Sequence, residues 1–182
     1  MSLYLSLQML TTLTRDLNVD GQCVSFRPVE AQDEQLLLDL YASTRAQELA
    51  LTGWDQAQQE LFVGMQYRAQ QAHYTSHYPK AQHVVILVKD QAIGRVYVAD
   101  KGDEIRILDM TILPDHRNLG IGTGILRGAM KESDQLQRCL TINVERDNPS
   151  LALFDRLGFQ PAEDDGYRYL MRYSKDRLRP PG

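Results

Sequence analysis

The apolar positions of the chain switch between two periods, and the switches mark the elements. Residues 24–29 read as a short strand stopped by Pro28. Leu37, Leu40, Tyr41 and Thr44 then share one face of a helix expected over 31–51. Thr52-Gly53-Trp54 breaks it, and Asp55 with Gln58 three residues on has the pattern of a capping box for a second helix. That helix is expected to turn Leu61, Phe62, Met65, Ala69 and Ala72 inward and to end before Pro79. A meander follows: a strand over 83–88, a turn at Lys89-Asp90-Gln91, a returning strand over 93–98, and a turn at Lys101-Gly102-Asp103. Residues 105–113 form a nearly continuous apolar run, as a strand covered on both faces would. Ile121, Ile125, Leu126 and Ala129 have helical spacing, and 140–144 is a strand that the helical crossover makes parallel to 105–113. A compact helix is expected from Asn148 as N-cap and Pro149 in the first turn to Gly158 just past its end. Segments 159–162 and 167–173, joined by Asp164-Asp165-Gly166, close the chain as a hairpin.

The element order β α α β β β α β α β β predicts an α/β fold, a mixed sheet with helices on both faces. The N-terminal 1–22 stands apart as an extension. Leu3, Leu5, Leu7 and Met9 alternate with polar residues and Tyr4 there, as in an extra strand, although Met1-Ser2-Leu3 also fits a cloning remnant. Residues 23–174 form the single domain, and 175–182 a tail whose only core-type residue is Leu178.

Composition narrows the function classes. The 182 residues, 43% hydrophobic and 24% charged, suit one soluble domain with its own core. A net charge of −4 without a lysine/arginine block argues against nucleic acid as a partner. Cys23 and Cys139 match no metal or redox spacing and read as reduced structural thiols. No signal-peptide pattern or membrane-length apolar run is present, so the expectation is a cytoplasmic protein without a membrane partner, monomer or homodimer.

The chemistry concentrates after the apolar run. Pro114 and Asp115 stop the strand, and Arg117-Asn118-Leu119-Gly120-Ile121-Gly122 leads into a helix. Glycines there admit a ligand to the backbone, and the unpaired N–H groups of the helix start carry the positive end of its dipole. Arg117 adds a charge, so the place suits a pyrophosphate. A P-loop would need Lys-Ser/Thr after the glycines, and a dinucleotide fingerprint starting at Gly122 would need glycine where Arg127 stands. R-x-x-G-x-G straight after a buried strand resembles the acyl-coenzyme A loop of the GNAT superfamily of N-acetyltransferases. A second stretch, from Asn148 through Ser150 and Phe154 to Gly158-Phe159, resembles the family's later motif, and the likeness extends from about residue 24 to 173.

The resemblance implies a mixed, mostly antiparallel central sheet of about seven strands, acetyl-CoA as co-substrate, no metal, and a small-molecule or peptide amine as acceptor. It places the pantetheine arm along the backbone of Ile112 and Leu113, the pyrophosphate at Arg117, Asn118, Leu119, Gly120, Ile121, Gly122 and Thr123, and Asn148 near the pantetheine. Asn148 is also a natural helix cap, and the two roles are compatible because a cap uses only the side-chain oxygen. Many relatives have a tyrosine that protonates the departing thiolate where this chain has Phe154. Ser150, Tyr167 or water are the alternatives. Asn118 stands where many relatives have glycine, and asparagine tolerates left-handed geometry.

An attacking amine of lysine type, with a pKa of about 10.4, is almost fully protonated at neutral pH, so a base or water relay is needed. Asp109, a carboxylate within the apolar strand, is the first candidate, and Glu104 at the strand's start is the second. Asp109 is equally well read as the buried partner of Arg95 or Arg106. Oxyanion donors are expected among backbone N–H groups near Ile112. His73 and His77 have the spacing of helical metal ligands but lack the glutamate of H-E-x-x-H. Trp54, Tyr67, Tyr74 and Tyr78 either line the acceptor site or pack in the core, and Glu48 and Glu60 either attract an amine or are solvated helix charges. The leading reading is an N-acyltransferase, with a non-catalytic acyl-CoA-binding module and a nucleotide-binding oxidoreductase as alternatives.

Overall fold

A computed structural model describes residues 16–19 and 21–174. The alternating Leu3, Leu5, Leu7 and Met9, and Leu178 of the tail, lie outside the described residues. Among the described residues eight strands form one sheet: β1 (Leu17–Val19), β2 (Gln22–Pro28), β3 (Gln82–Val88), β4 (Gln91–Asp100), β5 (Glu104–Ile112), β6 (Cys139–Glu145), β7 (Gln160–Asp164) and β8 (Arg168–Tyr173). Their order is β1-β2-β3-β4-β5-β6-β8-β7, and every neighbouring pair is antiparallel except β5–β6. The strand beyond the expected seven is β1, three residues near the end of the expected extension that pair with β2.

Helices cover both faces. On one lie α1 (Glu34–Ala50), entered through a 3-10 turn at Ala31–Asp33, and α2 (Gln56–His77). On the other lie α3 (Ile121–Leu136) and α4 (Leu151–Arg156). The capping box of α2 is present in both directions, Gln58 N–H to Asp55 Oδ1 and Asp55 N–H to Gln58 Oε1. Lys89 and Asp90 both take positive φ, 49° and 62°, which lets two residues join β3 to β4 with the strands' own twist. The last helix starts later than expected: Asn148 Oδ1 accepts from Ser150 N–H, closing a turn, and α4 begins at Leu151. Gly158, whose φ is +86°, does lie just past its end.

The core under α3 and α4 is mainly apolar, with Ile121, Ile125, Leu126 and Ala129 packed on Ile105, Ile107, Leu140 and Ile142, although α3 also buries Glu132 and Ser133. The core under α1 and α2 is smaller: Leu37, Leu40, Tyr41, Leu49, Val63 and Tyr67. Two inward faces differ from expectation there. Thr44 is exposed, its hydroxyl donating to Tyr41 O, and Leu49 takes the buried position. On α2, Leu61 and Met65 are exposed, and Val63, Gly64, Tyr67 and the half-buried Gln70 and Tyr74 face the sheet instead. The reason lies beneath: this part of the sheet presents Arg95, 1% exposed, and the helix above it must be polar and aromatic rather than aliphatic.

Two glycines permit close approaches. A Cβ on Gly94 in β4 would meet Thr111 O at 2.5 Å, and one on Gly124 in α3 would meet Val19 Cγ2 at 2.5 Å. Leu17 packs over Gly128 in the same way, so β1 lies against a glycine face of α3. At the opposite sheet edge all five residues of β7 are exposed, and Pro161, Glu163 and Asp164 occupy it.

Gly94→Ala should destabilise the protein by about 1–3 kcal/mol, because backbone must move to admit the methyl group. Gly124→Ala should cost less: only the side chain of a short edge strand must yield, and alanine gains up to about 1 kcal/mol of helix propensity. Urea unfolding of both variants measures the difference.

Candidate active site

The sheet opens at its centre. The parallel β5–β6 ladder contains only four pairs, Glu104↔Cys139 to Ile107↔Ile142, and then stops. On its other side β5 stays paired to β4 as far as Ile112, but Tyr97 pairs with Asp109 and Val98 with Ile107, leaving Leu108 as a bulge. A bulge bends its strand and re-aims the residues beyond it. Past Leu108, β5 keeps to β4 while β6 keeps to β8, which pairs it to Glu145↔Arg168, and a wedge-shaped gap remains between them.

The gap exposes a strand edge. Leu113 N–H donates to Ile93 O at 2.8 Å, on the β4 side, so by backbone alternation Met110 and Ile112 turn their polar groups to the gap. Of the two residues expected along the pantetheine, Leu113 therefore turns its polar groups to β4, whereas those of Ile112, like those of Met110, face the gap. The Ile112 carbonyl is claimed: Arg117 Nε donates to it at 2.8 Å, while Arg117 Nη2 donates to Ser43 Oγ at 2.8 Å. Arg117 thus ties the tip of β5 to α1. Across the gap, Arg45 of α1 reaches Glu145 at the end of β6, 3.5 Å away.

Past a 3-10 turn at Pro114–His116 the chain reaches the glycine loop at the mouth of the gap. Asn118 has φ 61° and Gly120 φ 76°, and the two left-handed residues swing the chain into α3. No side chain caps the helix, whose first internal bond is Gly124 N–H to Gly120 O at 2.8 Å. The N–H groups of Ile121, Gly122 and Thr123 precede that bond and lack helical acceptors. A Cβ on Gly122 would lie 3.6 Å from Ile112 Cδ1, ordinary contact. Asn148 keeps its amide hydrogens free, since its Oδ1 alone accepts, from the Ser150 N–H and hydroxyl. A free strand edge, uncapped N–H groups and an unspent amide fit the three parts of an acyl-CoA: pantetheine, pyrophosphate and the junction between them.

The other expected residues fall elsewhere. Glu104 lies in the closed part of the ladder, bound by Arg106 at 2.7 Å and Lys101 at 3.3 Å, roughly 26 Å along the strand from Ile112. Phe154 is 3% exposed, its ring edge-on to Phe159 in the core. Asp109 faces α2, and both its oxygens are engaged. Thr111 Oγ1 donates to Oδ1 at 3.0 Å, and the Arg95 guanidinium pairs with Oδ2. Arg95 also donates to Gln70 Oε1 at 2.9 Å and lies over the Tyr67 ring. His73 and His77 stack at 4.1 Å, and among the described residues no group of three metal-ligand side chains forms. Trp54 packs on Phe62, Glu48 binds Arg45, and Glu60 accepts from Gln56. An open cleft of about 600 Å³ lies between α1, the start of α2 and Leu113-Pro114, lined by Asp39, Ala42, Ser43, Ala46, Leu49 and Gln59. Among the described residues no helix is long and apolar enough to cross a membrane.

His83, stacked on Tyr97, belongs to the same polar layer. Burial, with help from Arg95, pushes its imidazole down to about 4 against the pull of Asp109 and Asp33. The folded protein keeps it neutral where the unfolded chain takes up a proton below about pH 6.5. Its contribution to stability is complete above pH 6.5 and is lost between pH 6.5 and 4, about 3 kcal/mol. His83→Phe keeps the stacking and should flatten the fall in melting temperature over that range.

Residues 79–161, from just before β3 to the start of β7, match a family model described as an acetyltransferase (GNAT) domain. No curated protein matches the chain by sequence. Solved structures share the fold at low identity. A PaiA N-acetyltransferase from Thermoplasma acidophilum in complex with coenzyme A aligns with a TM-score of 0.62 and 16% identity, over 83% of this chain and 98% of that one. RimJ from Mycobacterium smegmatis, in complex with CoA-disulfide, aligns at 0.59 and 18%, over 90% and 88%. An acetyltransferase from Thermus thermophilus aligns at 0.57 and 19%, over 82% and 94%. Joined to the opened sheet and the glycine loop, these likenesses show a GNAT-type fold, and the stretch 79–161 is similar to the GNAT acetyltransferase domain.

Proposed function

We propose that the protein is an N-acyltransferase that moves an acetyl group from acetyl-CoA to a primary amine of a small molecule or peptide. The observation that carries this reading is the gap beyond Ile107 and Ile142, which runs from the bulge at Leu108 to the uncapped start of α3. Met110 and Ile112 would hold the pantetheine by backbone groups. The Ile121–Thr123 amides would hold the pyrophosphate, with Asn118, Leu119 and Gly120 shaping the turn. The Met110 N–H, near the apex of the gap, suits the charge that develops on the thioester oxygen when the amine attacks directly. The acceptor would approach from the α1/α2 side.

Arg117 in this reading has a second task besides any phosphate contact, since it already braces Ile112 O and Ser43. Phe154 donates no proton to the departing sulfur, and a thiol with a pKa near 8.5 leaves without one. For Asp109, the two bonds to its oxygens support the role of counter-ion to Arg95 over that of a base, and the amine's proton then passes to water. The same observations support a second reading, a module that binds acyl-CoA without turning it over.

Thioester consumption against a panel of amines separates the two: binding of acetyl-CoA with no turnover on any amine would leave the module. Gly122→Val should weaken acetyl-CoA binding at least about ten-fold while the melting temperature stays near wild type, because the first Cβ fits and only a ligand contests the rest. Arg117→Ala should weaken it by about 1.5–3 kcal/mol. Isothermal titration with parallel melts measures both quantities. Asp109→Asn should cost about 3–5 kcal/mol of stability by stranding a buried guanidinium. A stable variant with turnover reduced by about two orders of magnitude or more, roughly the scale of general-base catalysis, would assign Asp109 as the base instead.

A further inference from the structure

The opening between β5 and β6 has a feature that the acyl-transfer reading does not use. Tyr74, near the end of α2, crosses above the sheet and donates its hydroxyl to the carbonyl of Leu108 at 3.0 Å. Leu108 is the bulged residue and the first of β5 beyond the last rung of the parallel ladder. Its carbonyl is therefore the acceptor nearest to the point where the two strands part.

The opposite strand has donors facing it. Cys139 N–H donates to Asp103 O, so alternation along β6 turns the N–H groups of Thr141, Asn143 and Glu145 towards β5. The register ends at Ile107↔Ile142, which leaves the Glu145 N–H beyond the ladder, facing the gap. Two strands with unpaired groups facing each other tend to go on pairing, because an unmet backbone group costs free energy. A competing partner for the carbonyl removes half of that drive.

We propose that Tyr74 is a positioning residue that stops the β5–β6 ladder at Ile107 and so holds the gap open before any ligand enters. The location of the ring supports this. It is half-buried and stands edge-on to Tyr97 at 5.2 Å, so the hydroxyl is aimed by packing on β4, a strand not paired with β6. Burial and the nearby Asp109 push the phenol up to about 12, and it stays a donor throughout the neutral range. Tyr74 comes from the helix on the acceptor side, whereas the gap it holds is the proposed acyl-CoA site. That pairing gives α2 an influence on a ligand it need not touch. The inference rests on the acyl-CoA reading only for what fills the gap.

Tyr74→Phe removes one oxygen and keeps the ring. Without ligand, the Glu145 amide should exchange with deuterium more slowly than in wild type as the ladder extends. Acetyl-CoA should bind about ten-fold more weakly, the scale of one lost hydrogen bond, with the effect in KM and little change in kcat. Melting should stay within a few degrees of wild type. Faster or unchanged exchange at Glu145, an unchanged acetyl-CoA affinity, or a collapse in melting temperature would each overturn the proposal. The last would make Tyr74 a core residue and nothing more. If wild type itself binds no acetyl-CoA, the acyl-CoA reading fails, and the ligand-free exchange still decides whether Tyr74 limits the ladder.

Discussion

The molecule depends on an interruption. A parallel ladder stops after four pairs, and the bulge at Leu108 sends the rest of β5 away from β6. Continuous pairing would satisfy more backbone groups and leave a sheet with no interior opening. As it is, the tips of both strands are braced by side chains from elsewhere: Arg117 and Tyr74 on the carbonyls of β5, and Arg45 beside Glu145 of β6. The wedge is thus kept open by tertiary contacts, and the glycine loop lies at its mouth because the strand that leads into it was diverted.

The two faces of the sheet meet different physical demands. Under α3 the packing is mainly aliphatic and periodic, and around α4 it is aromatic through Phe154, Phe159 and Tyr173, so stability there tracks apolar burial. Under α2 a fully buried guanidinium sits among Asp109, Gln70 and Tyr67. A buried ion pair adds little net stability over an apolar alternative, but losing one partner is costly. That asymmetry makes Arg95 and Asp109 a unit, and it sets the composition of the helix above them.

Much of this is legible in the sequence, for identifiable reasons. The glycine loop, its preceding strand and its helix combine three local signals within about twenty residues, and they agree with one another. The Asp55–Gln58 box and the Lys89–Asp90 turn are equally local. The features that escape such reading are relational. A bulge is a mismatch in count between two strands, and no property of Leu108 announces it. Asp109 stays open between two arginines until the fold brings Arg95 across from β4. The inward face of α2 differs from its pattern because aliphatic residues mark a buried face only where the surface below is aliphatic, and here Leu61 and Met65 are the outer side. Glu104 lies in the closed part of the ladder, paired with Arg106, and the Phe154 ring lies in the core.

The contact of β1 with α3 has a consequence for how the protein acquires its shape. Val19 packs on Gly124, roughly a hundred residues later in the chain, at the first turn of the helix that would face the ligand. Closing so long a loop is entropically costly and is compensated only once the intervening strands are in place. The hairpin of β3 and β4 needs two connecting residues and can form early. The glycine face of α3 must wait for a strand made long before it. In a chain emerging from the ribosome, the strand at one edge of the sheet therefore stays unclasped from α3 until the segment through Gly124 has been synthesised.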